Sequence, residues 1–526
     1  MTTPLIDVNC FIGRWPAADL AFHDAAGLLA RMDRLGIGKA VVCHTWAWQY
    51  DPVAGNQQLM TELAALPLER RERLLPCWAV VPSATGEQGT TGELGVAMEG
   101  AGIRVARLFP RDHNYSLSSP DAAELLAMLA ERRILTLIDF DQTSWEEIDR
   151  IAGQTPDLQL VVCRTGYRVL RRMAGVLARR PNCAIDLSYF GSHEGVEWLV
   201  DRFGAGRMLF GTAAPLADGG GAVTRLMLSA VSEGDRAAIG AGNAQRLLGI
   251  EQGANPSLPP DHPAAEVRQG EPIQGWDVID AHGHVGPWFN FFTPNPDGET
   301  MLRIMDRCGV RMAVVSALLG VGPDAEPGNA EVVELIARHP ARFAGYAVFN
   351  PHHPGSLADV ERTLACPGIV GIKIHPDTHE YHVAEPGYAP MWELANARRL
   401  PVLTHTFAGS AYSEPVEFDS IARRWPEARI IMGHSGATPA GHRQAITVAQ
   451  AHPNLYLELC GSFTTGQWIR RMVDAVGAER VLFGTDFPFI DFRYGLGRVV
   501  FADLSESERR LVLGENARRL LKLPLD

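Results

Sequence analysis

Residues 280–286 read D-A-H-G-H-V-G, and residues 7–13 read D-V-N-C-F-I-G. The frames match, Asp to Asp and Gly to Gly, 273 positions apart, one with two histidines and one with none. Working outward, apolar β-rich runs recur about every thirty residues. The first half has eight, at 5–8, 40–44, 77–82, 105–110, 134–140, 160–166, 183–189 and 208–212. The second has eight more, at 278–282, 313–317, 345–351, 371–376, 401–407, 430–436, 455–461 and 481–488. Helix-like segments lie between them. L-L-A-R-M-D-R-L-G-I (28–37) and M-L-R-I-M-D-R-C-G-V (301–310) share one register, each with a Gly where a helix should stop. Strands alternating with helices predict parallel β/α units, and eight units in about 250 residues is the size of a (β/α)8 barrel.

The fold class predicted is therefore α/β, two tandem (β/α)8 TIM-like barrels, over 1–250 and 276–526. The Pro- and Gly-rich stretch 251–275 reads as a linker. Both halves close on similar tails, G-N-A-Q-R-L-L-G-I (242–250) and E-N-A-R-R-L-L-K-L (515–523), in which Asn243 and Asn516 read as helix caps.

Composition narrows the function classes. The chain has 526 residues, 46% of them apolar, and a mean hydropathy near zero, as expected of a soluble globular protein. A net charge of −13 argues against nucleic acid and anionic membrane as partners. No run is long enough to span a bilayer, no signal peptide is visible, and eight scattered cysteines without C-x-x-C suit free thiols in a reducing cytoplasm.

In such a barrel the C-terminal ends of the strands build the active site. In the second half these ends carry His282 and His284, Lys373 and His375, His405, His434 and Asp486. Residues two apart on a strand point to the same side. Imidazoles with one carboxylate suit zinc and also hold manganese, iron or cobalt. A lone strand-end histidine is usually an ordinary polar residue; it is the set that points to a metal. The counts agree, with four of 17 histidines before residue 250 and twelve after 276.

With these motifs in place, D-A-H-G-H, G-I-K-I-H-P, L-T-H-T-F, M-G-H-S-G and F-G-T-D-F-P, the second half resembles the amidohydrolase superfamily, in its amidohydrolase-related branch. That branch includes aminocarboxymuconate semialdehyde decarboxylase, lactonases and other hydrolases. The resemblance implies one divalent metal, Zn2+ first, with Mn2+ and Fe2+ as alternatives. It would be held by His282, His284, His405 and Asp486, with His434 as acid/base beside Asp486, or as a ligand if a second metal binds. Lys373 and His375 would face the substrate, although in some members a carboxylated strand-4 lysine bridges two metals. Trp288 and Phe407, on loops after strands 1 and 5, are candidate substrate walls. The first half resembles the same family with its ligands removed. Asn9, Phe11, Arg107, Phe109, Ile138, Arg164 and Ala213 take the places of His282, His284, Lys373, His375, His405, His434 and Asp486.

The first expectation is a metal-dependent hydrolase acting through activated water on an amide, lactone or similar bond of a small carboxylated or aromatic molecule. The second is a metal-dependent decarboxylase, and the third a non-catalytic binding or scaffold protein. Members of this branch are often dimers, which implies a homo-oligomer or an intrachain pseudo-dimer with the degenerate barrel as scaffold or built-in neighbour.

Overall fold

In the computed structural model, which describes residues 3–251, 256 and 263–523, each of the sixteen apolar runs overlaps a strand. The first eight are β1 (Ile6–Ile12), β2 (Lys39–His44), β3 (Leu74–Ala79), β4 (Val105–Leu108), β5 (Leu135–Asp139), β6 (Leu160–Cys163), β7 (Cys183–Asp186) and β8 (Met208–Leu209). The second eight are β9 (Val278–Val285), β10 (Val310–Ala317), β11 (Phe343–Val348), β12 (Ile369–Ile374), β13 (Pro401–His405), β14 (Arg429–Gly433), β15 (Leu455–Glu458) and β16 (Val481–Leu482). In each set every strand pairs in parallel with the next in sequence, β1 to β8 and β9 to β16.

Hydrogen bonds draw the last strand of each set back to the first. Val8 N donates to Phe210 O at 2.9 Å and Ala213 N to Asn9 O at 2.8 Å. In the second set Ala281 N donates to Phe483 O at 3.0 Å and Asp486 N to His282 O at 2.8 Å. The Asp that opens each quoted motif secures this seam. Asp7 accepts from Thr212 N at 3.0 Å and from Asn9 N at 2.9 Å. Asp280 accepts from Thr485 N at 3.1 Å, Thr485 Oγ1 at 2.6 Å and His282 N at 3.0 Å. Two tandem (β/α)8 barrels result.

The helices between strands form for the expected reason. Ala25–Leu35 buries Ala25, Leu28, Leu29, Met32 and Leu35, starts with Asp24 accepting from Gly27 N, and stops at Gly36 with φ 69°. Gly298–Cys308 repeats this with Asp297 at its start and Gly309 at φ 76°. Glycine is the residue that takes this left-handed stop without a Cβ clash.

Asn243 and Asn516 are not helix caps. Each is buried inside a helical run, and its amide donates to one carbonyl before the last strand and one on that strand's first residue: Asn243 to Ala205 O and Met208 O, Asn516 to Ala478 O and Val481 O. They satisfy backbone acceptors that would otherwise be buried unpaired.

The chain divides into two compact units, Met1–Phe190 with Glu194–Gln269, and Gly191–His193 with Gly270–Asp526. Of the stretch read as a linker, 252–255 and 257–262 lie outside the described residues. Pro263–Gln269 is a helix that buries Ala264, Ala265 and Val267, a short apolar stripe that the Pro and Gly content around it obscures.

Candidate metal centre

A β-bulge sets the geometry of the second barrel. Along β9 the pairing with β10 runs Asp280 to Ala313 and then Gly283 to Val315, so three steps on β9 match two on β10. Ile279 and Ala281 therefore join the barrel core with Met312, Val314, Ala344 and Tyr346, while His282 and His284 turn inward beyond them. Such a bulge re-aims side chains beside a site. The same shift, Asp7 to Ala40 and then Cys10 to Val42, is present in β1.

His282 and His284 are buried with ring centroids 5.1 Å apart. His282 Nδ1 faces Glu458 Oε2 at 2.9 Å, and its Nε2 lies 3.7 Å from Asp486 Oδ1. His284 Nδ1 faces Ser316 Oγ at 2.9 Å and its Nε2 lies 3.3 Å from Asp486 Oδ1. Each ring is thus fixed from behind by an oxygen and presents its other nitrogen to Asp486, the arrangement that orients metal-binding imidazoles. Burial lowers the pKa of His282, His284, His375 and His405, so these rings are neutral, the form that ligates. Burial pushes Asp486 up, but His434, His284 and Lys373 outweigh it and hold the carboxyl below its usual value.

Lys373 is fully buried, with Nζ 2.8 Å from His282 Nε2, and burial brings its pKa down to about 8. His375 stacks on His405 with centroids 4.1 Å apart, and His405 lies edge-on to His434 at 4.6 Å. His405 Nε2 is 3.5 Å from Asp377 Oδ2, while its Nδ1 is buried with no hydrogen-bond partner. An orphaned nitrogen there is a cost that a bound cation would remove.

The aromatic candidates flank this cluster. Phe407 lies parallel to His405 at 6.1 Å and is 39% exposed. Trp288 packs on Phe489 at 5.6 Å, and Phe489 lies 6.0 Å from His284. Two functional candidates escaped the sequence reading. One donor atom each from His282, His434, Cys460 and Asp486 lie within 4.8 Å of one another, and they could hold a metal ion. Glu458, behind them, accepts from His434 N at 2.9 Å and from the Cys460 thiol at 2.8 Å, and burial raises it to about 7. The signal was present in L-E-L-C-G, where Glu458 and Cys460 stand two apart at a strand end, the same spacing as His282 and His284.

The first barrel fills the equivalent place differently. Asn9 accepts from Arg107 at 2.9 Å and donates to Asp186 at 2.8 Å. Arg107 also bonds Asp139 and lies over the Phe11 ring at 4.5 Å, and Arg164 reaches Asp139 at 3.1 Å. Burial lowers Arg107, but Asp139 together with Cys163, Cys43 and Cys77 outweighs it and raises the guanidinium's pKa. Asp139, not Ile138, stands in the place of His405. Arg107 pairs with Leu137 as Lys373 pairs with Leu403, which puts Asp139 and His405 at the same step. L-I-D-F has one residue fewer than L-T-H-T-F between its carboxylate or imidazole and the phenylalanine. Two guanidiniums thus supply the positive charge among buried carboxylates. Arg107 is 1% exposed and spends both terminal nitrogens on Asn9 and Asp139, whereas Arg164 lines a cavity of about 930 Å3 with Trp15, Trp48 and Tyr50.

The family model described as Amidohydrolase matches the chain in two segments, 11–250 and 279–523. Gamma-resorcylate decarboxylase of Polaromonas sp. is 23% identical over 285 residues, covering 43% of this chain and 87% of its own length. L-fucono-1,5-lactonase of Burkholderia ambifaria is 30% identical over 106 residues, 16% of this chain and 37% of its own. Among solved structures, dihydroxybenzoic acid decarboxylase of Polaromonas sp. JS666, with bound manganese and 2-nitroresorcinol, is 19% identical with a TM-score of 0.40, covering 48% of this chain and 98% of that one. Among the described residues no helix is long and apolar enough to cross a membrane.

Proposed function

Because the chain belongs to the amidohydrolase family, we propose that its second barrel is a metal-dependent carboxy-lyase that removes carbon dioxide from a small aromatic carboxylate of the hydroxybenzoate class. The observation that carries this reading is the gamma-resorcylate decarboxylase relative, matched over 87% of its length. Decarboxylation, held second on sequence grounds, is thereby favoured over hydrolysis. The lactonase likeness that favours hydrolysis covers 37% of that protein.

The cation would be held by His282, His284 and Asp486, with His405 offering its unpartnered Nδ1. Bound there, a divalent cation supplies Lewis-acid polarisation of substrate oxygens. The chain's own groups do the rest. Lys373, a cation on a buried strand end, anchors the substrate carboxylate or phenolate. Phe407 and Trp288 wall the ring and exclude water. His434 holds a proton and delivers it to the ring carbon that bears the carboxylate. The carbon–carbon bond then breaks, its electron pair returns to the ring, and carbon dioxide leaves. The sum is substrate plus one proton to arene plus carbon dioxide, and solvent reprotonates His434. Asp486 keeps the negative charge that holds the cation and orients His284.

The test is carbon dioxide release from a panel of dihydroxybenzoates, run beside ring opening of sugar lactones. Release from a hydroxybenzoate that stops in His434→Asn supports the reading. Lactone opening without carbon dioxide release overturns it in favour of hydrolysis.

A further inference from the structure

Phe407 is a large aromatic side chain, 39% exposed, on the loop after β13, so packing alone does little to fix it. Its backbone is gripped by two serines. Ser410 N donates to Phe407 O and Phe407 N donates to Ser413 O, both at 3.2 Å. Both serine hydroxyls donate to one carboxylate, Ser410 Oγ to Asp377 Oδ1 at 2.5 Å and Ser413 Oγ to Asp377 Oδ2. Ser410 Oγ in turn accepts from Tyr412 N at 2.9 Å and Ser413 N at 3.1 Å, which closes the turn. Ser413 is fully buried, so its hydroxyl needs the acceptor that Asp377 supplies. Asp377 belongs to the neighbouring loop, in the short helix Pro376–His379 after β12. Backbone bonds from Ala408 N to Gly436 O and from Val383 N to Tyr412 O tie the loop elsewhere but leave Phe407 itself to the two serines.

Resting on the reading that Phe407 walls an aromatic substrate in the second barrel, we propose that Asp377 is a positioning residue that holds this wall in place through Ser410 and Ser413, and thereby sets how well the site accepts a ring. A carboxylate offers an acceptor oxygen to each of two hydroxyl donors, a match that the corresponding amide, with one oxygen, does not reproduce. Bonds to an ionised acceptor are also about twice as strong as neutral ones. With the tie intact, Phe407 meets the substrate already ordered. With the tie cut, binding must order the loop as well, which weakens it. Such a loss is felt equally in the bound state and the transition state, so KM rises while kcat changes little.

The experiment is a double-mutant cycle on the metal-loaded full-length protein, read with the dihydroxybenzoate from which it releases carbon dioxide fastest. Ser410→Ala together with Ser413→Ala forms one arm, and Asp377→Asn the other. The serine arm leaves the Asp377 charge in place beside His405. Each arm is expected to raise KM about tenfold with kcat kept within about twofold. The combined variant should be no worse than Asp377→Asn alone, because both arms cut the same tie. Amide hydrogen exchange, which needs no turnover, should be faster over residues 406–414 in either arm and unchanged in strands β9 to β16. KM effects that simply add, or exchange over that loop that stays at the wild-type rate, overturn the role of Asp377. A fall in kcat that excess metal restores would assign Asp377 to His405 and overturn it as well. Lactone opening without carbon dioxide release overturns the carboxy-lyase reading alone, since the same cycle on the KM for the lactone still decides the tie. A wild type that turns over neither kind of substrate overturns both.

Discussion

Arg164 and His434 occupy the same place in the two barrels: each is the first residue past the sixth strand, and each has left-handed backbone, φ 57° and 66°. Ala213 and Asp486 repeat the relationship after the eighth strand, at φ 54° and 66°. A non-glycine residue in this region costs about 1–2 kcal/mol. The first barrel retains that backbone although an arginine and an alanine now sit on it, so the strand-end geometry has outlasted the donor set. What replaced the donors is an ion-pair network.

That network predicts a stability effect confined to the first unit. Arg107 and Asp139 are both buried, and their side chains are in contact. Asp139→Asn leaves the guanidinium without its main carboxylate, and breaking a buried pair in this way costs about 3–5 kcal/mol. Replacing both residues with Met and Leu should recover most of the loss. Urea unfolding of the full chain measures it, and metal content should be unchanged in both variants.

The pH dependence of the first unit follows from two carboxyls that burial raises from 3.8 to about 6, Asp186 and, despite bonds from Cys10 and Thr212, Asp7. A raised carboxyl binds its proton more tightly folded than unfolded. Its contribution is therefore full below about pH 4 and is lost as pH rises through 6, a change of about 3 kcal/mol. Asp7→Asn should lower the slope of the first unit's stability profile between pH 4 and 7, leaving the share that belongs to Asp186. A profile of unchanged slope in that variant would assign the dependence elsewhere.

How much of this could be read in advance depends on the type of signal. Strands announce themselves as apolar runs because a barrel strand is buried on both faces, and the helix stops at Gly36 and Gly309 follow from backbone sterics. That His282 and His284 come together was legible because histidines at alternate strand positions are uncommon. Cys460 and Glu458 were not, because a scattered cysteine and a strand glutamate are ordinary residues until folding brings them to one imidazole. Asp139 was misplaced by one residue because register depends on which neighbours pair, and only the strand pairing settles that. Asn243 and Asn516 carried a cap signature, yet their amides serve carbonyls 35 and 38 positions away.

Metal removal should separate the two barrels. Dialysis against a chelator is expected to abolish turnover, and one equivalent of divalent metal to restore it. His282→Ala should purify with little bound metal, whereas Asn9→Ala, at the same place in the first barrel, should keep the wild-type content. Elemental analysis of the three preparations is the measurement, and metal retained by His282→Ala would contradict the assignment.

Glu458 gives the sharpest test of what stands behind the donors. Its Oε2 faces His282 Nδ1 at 2.9 Å, and its Oε1 accepts from Cys460 N at 2.6 Å. Glu458→Gln keeps the shape but replaces one acceptor oxygen with an amide donor, so either His282 or the Cys460 backbone loses its partner. Loss of such a carboxylate behind a ligating histidine weakens metal affinity by about 10–100-fold. Ser316→Ala, behind His284, removes a neutral hydroxyl and should cost less. Because both side chains are fully buried behind the imidazoles of His282 and His284, both variants should regain near-normal kcat once saturated with metal. Chelator competition for affinity, with kcat measured across metal concentrations, separates this positioning role from direct catalysis. A kcat in Glu458→Gln that stays low at saturating metal would place Glu458 in the reaction itself.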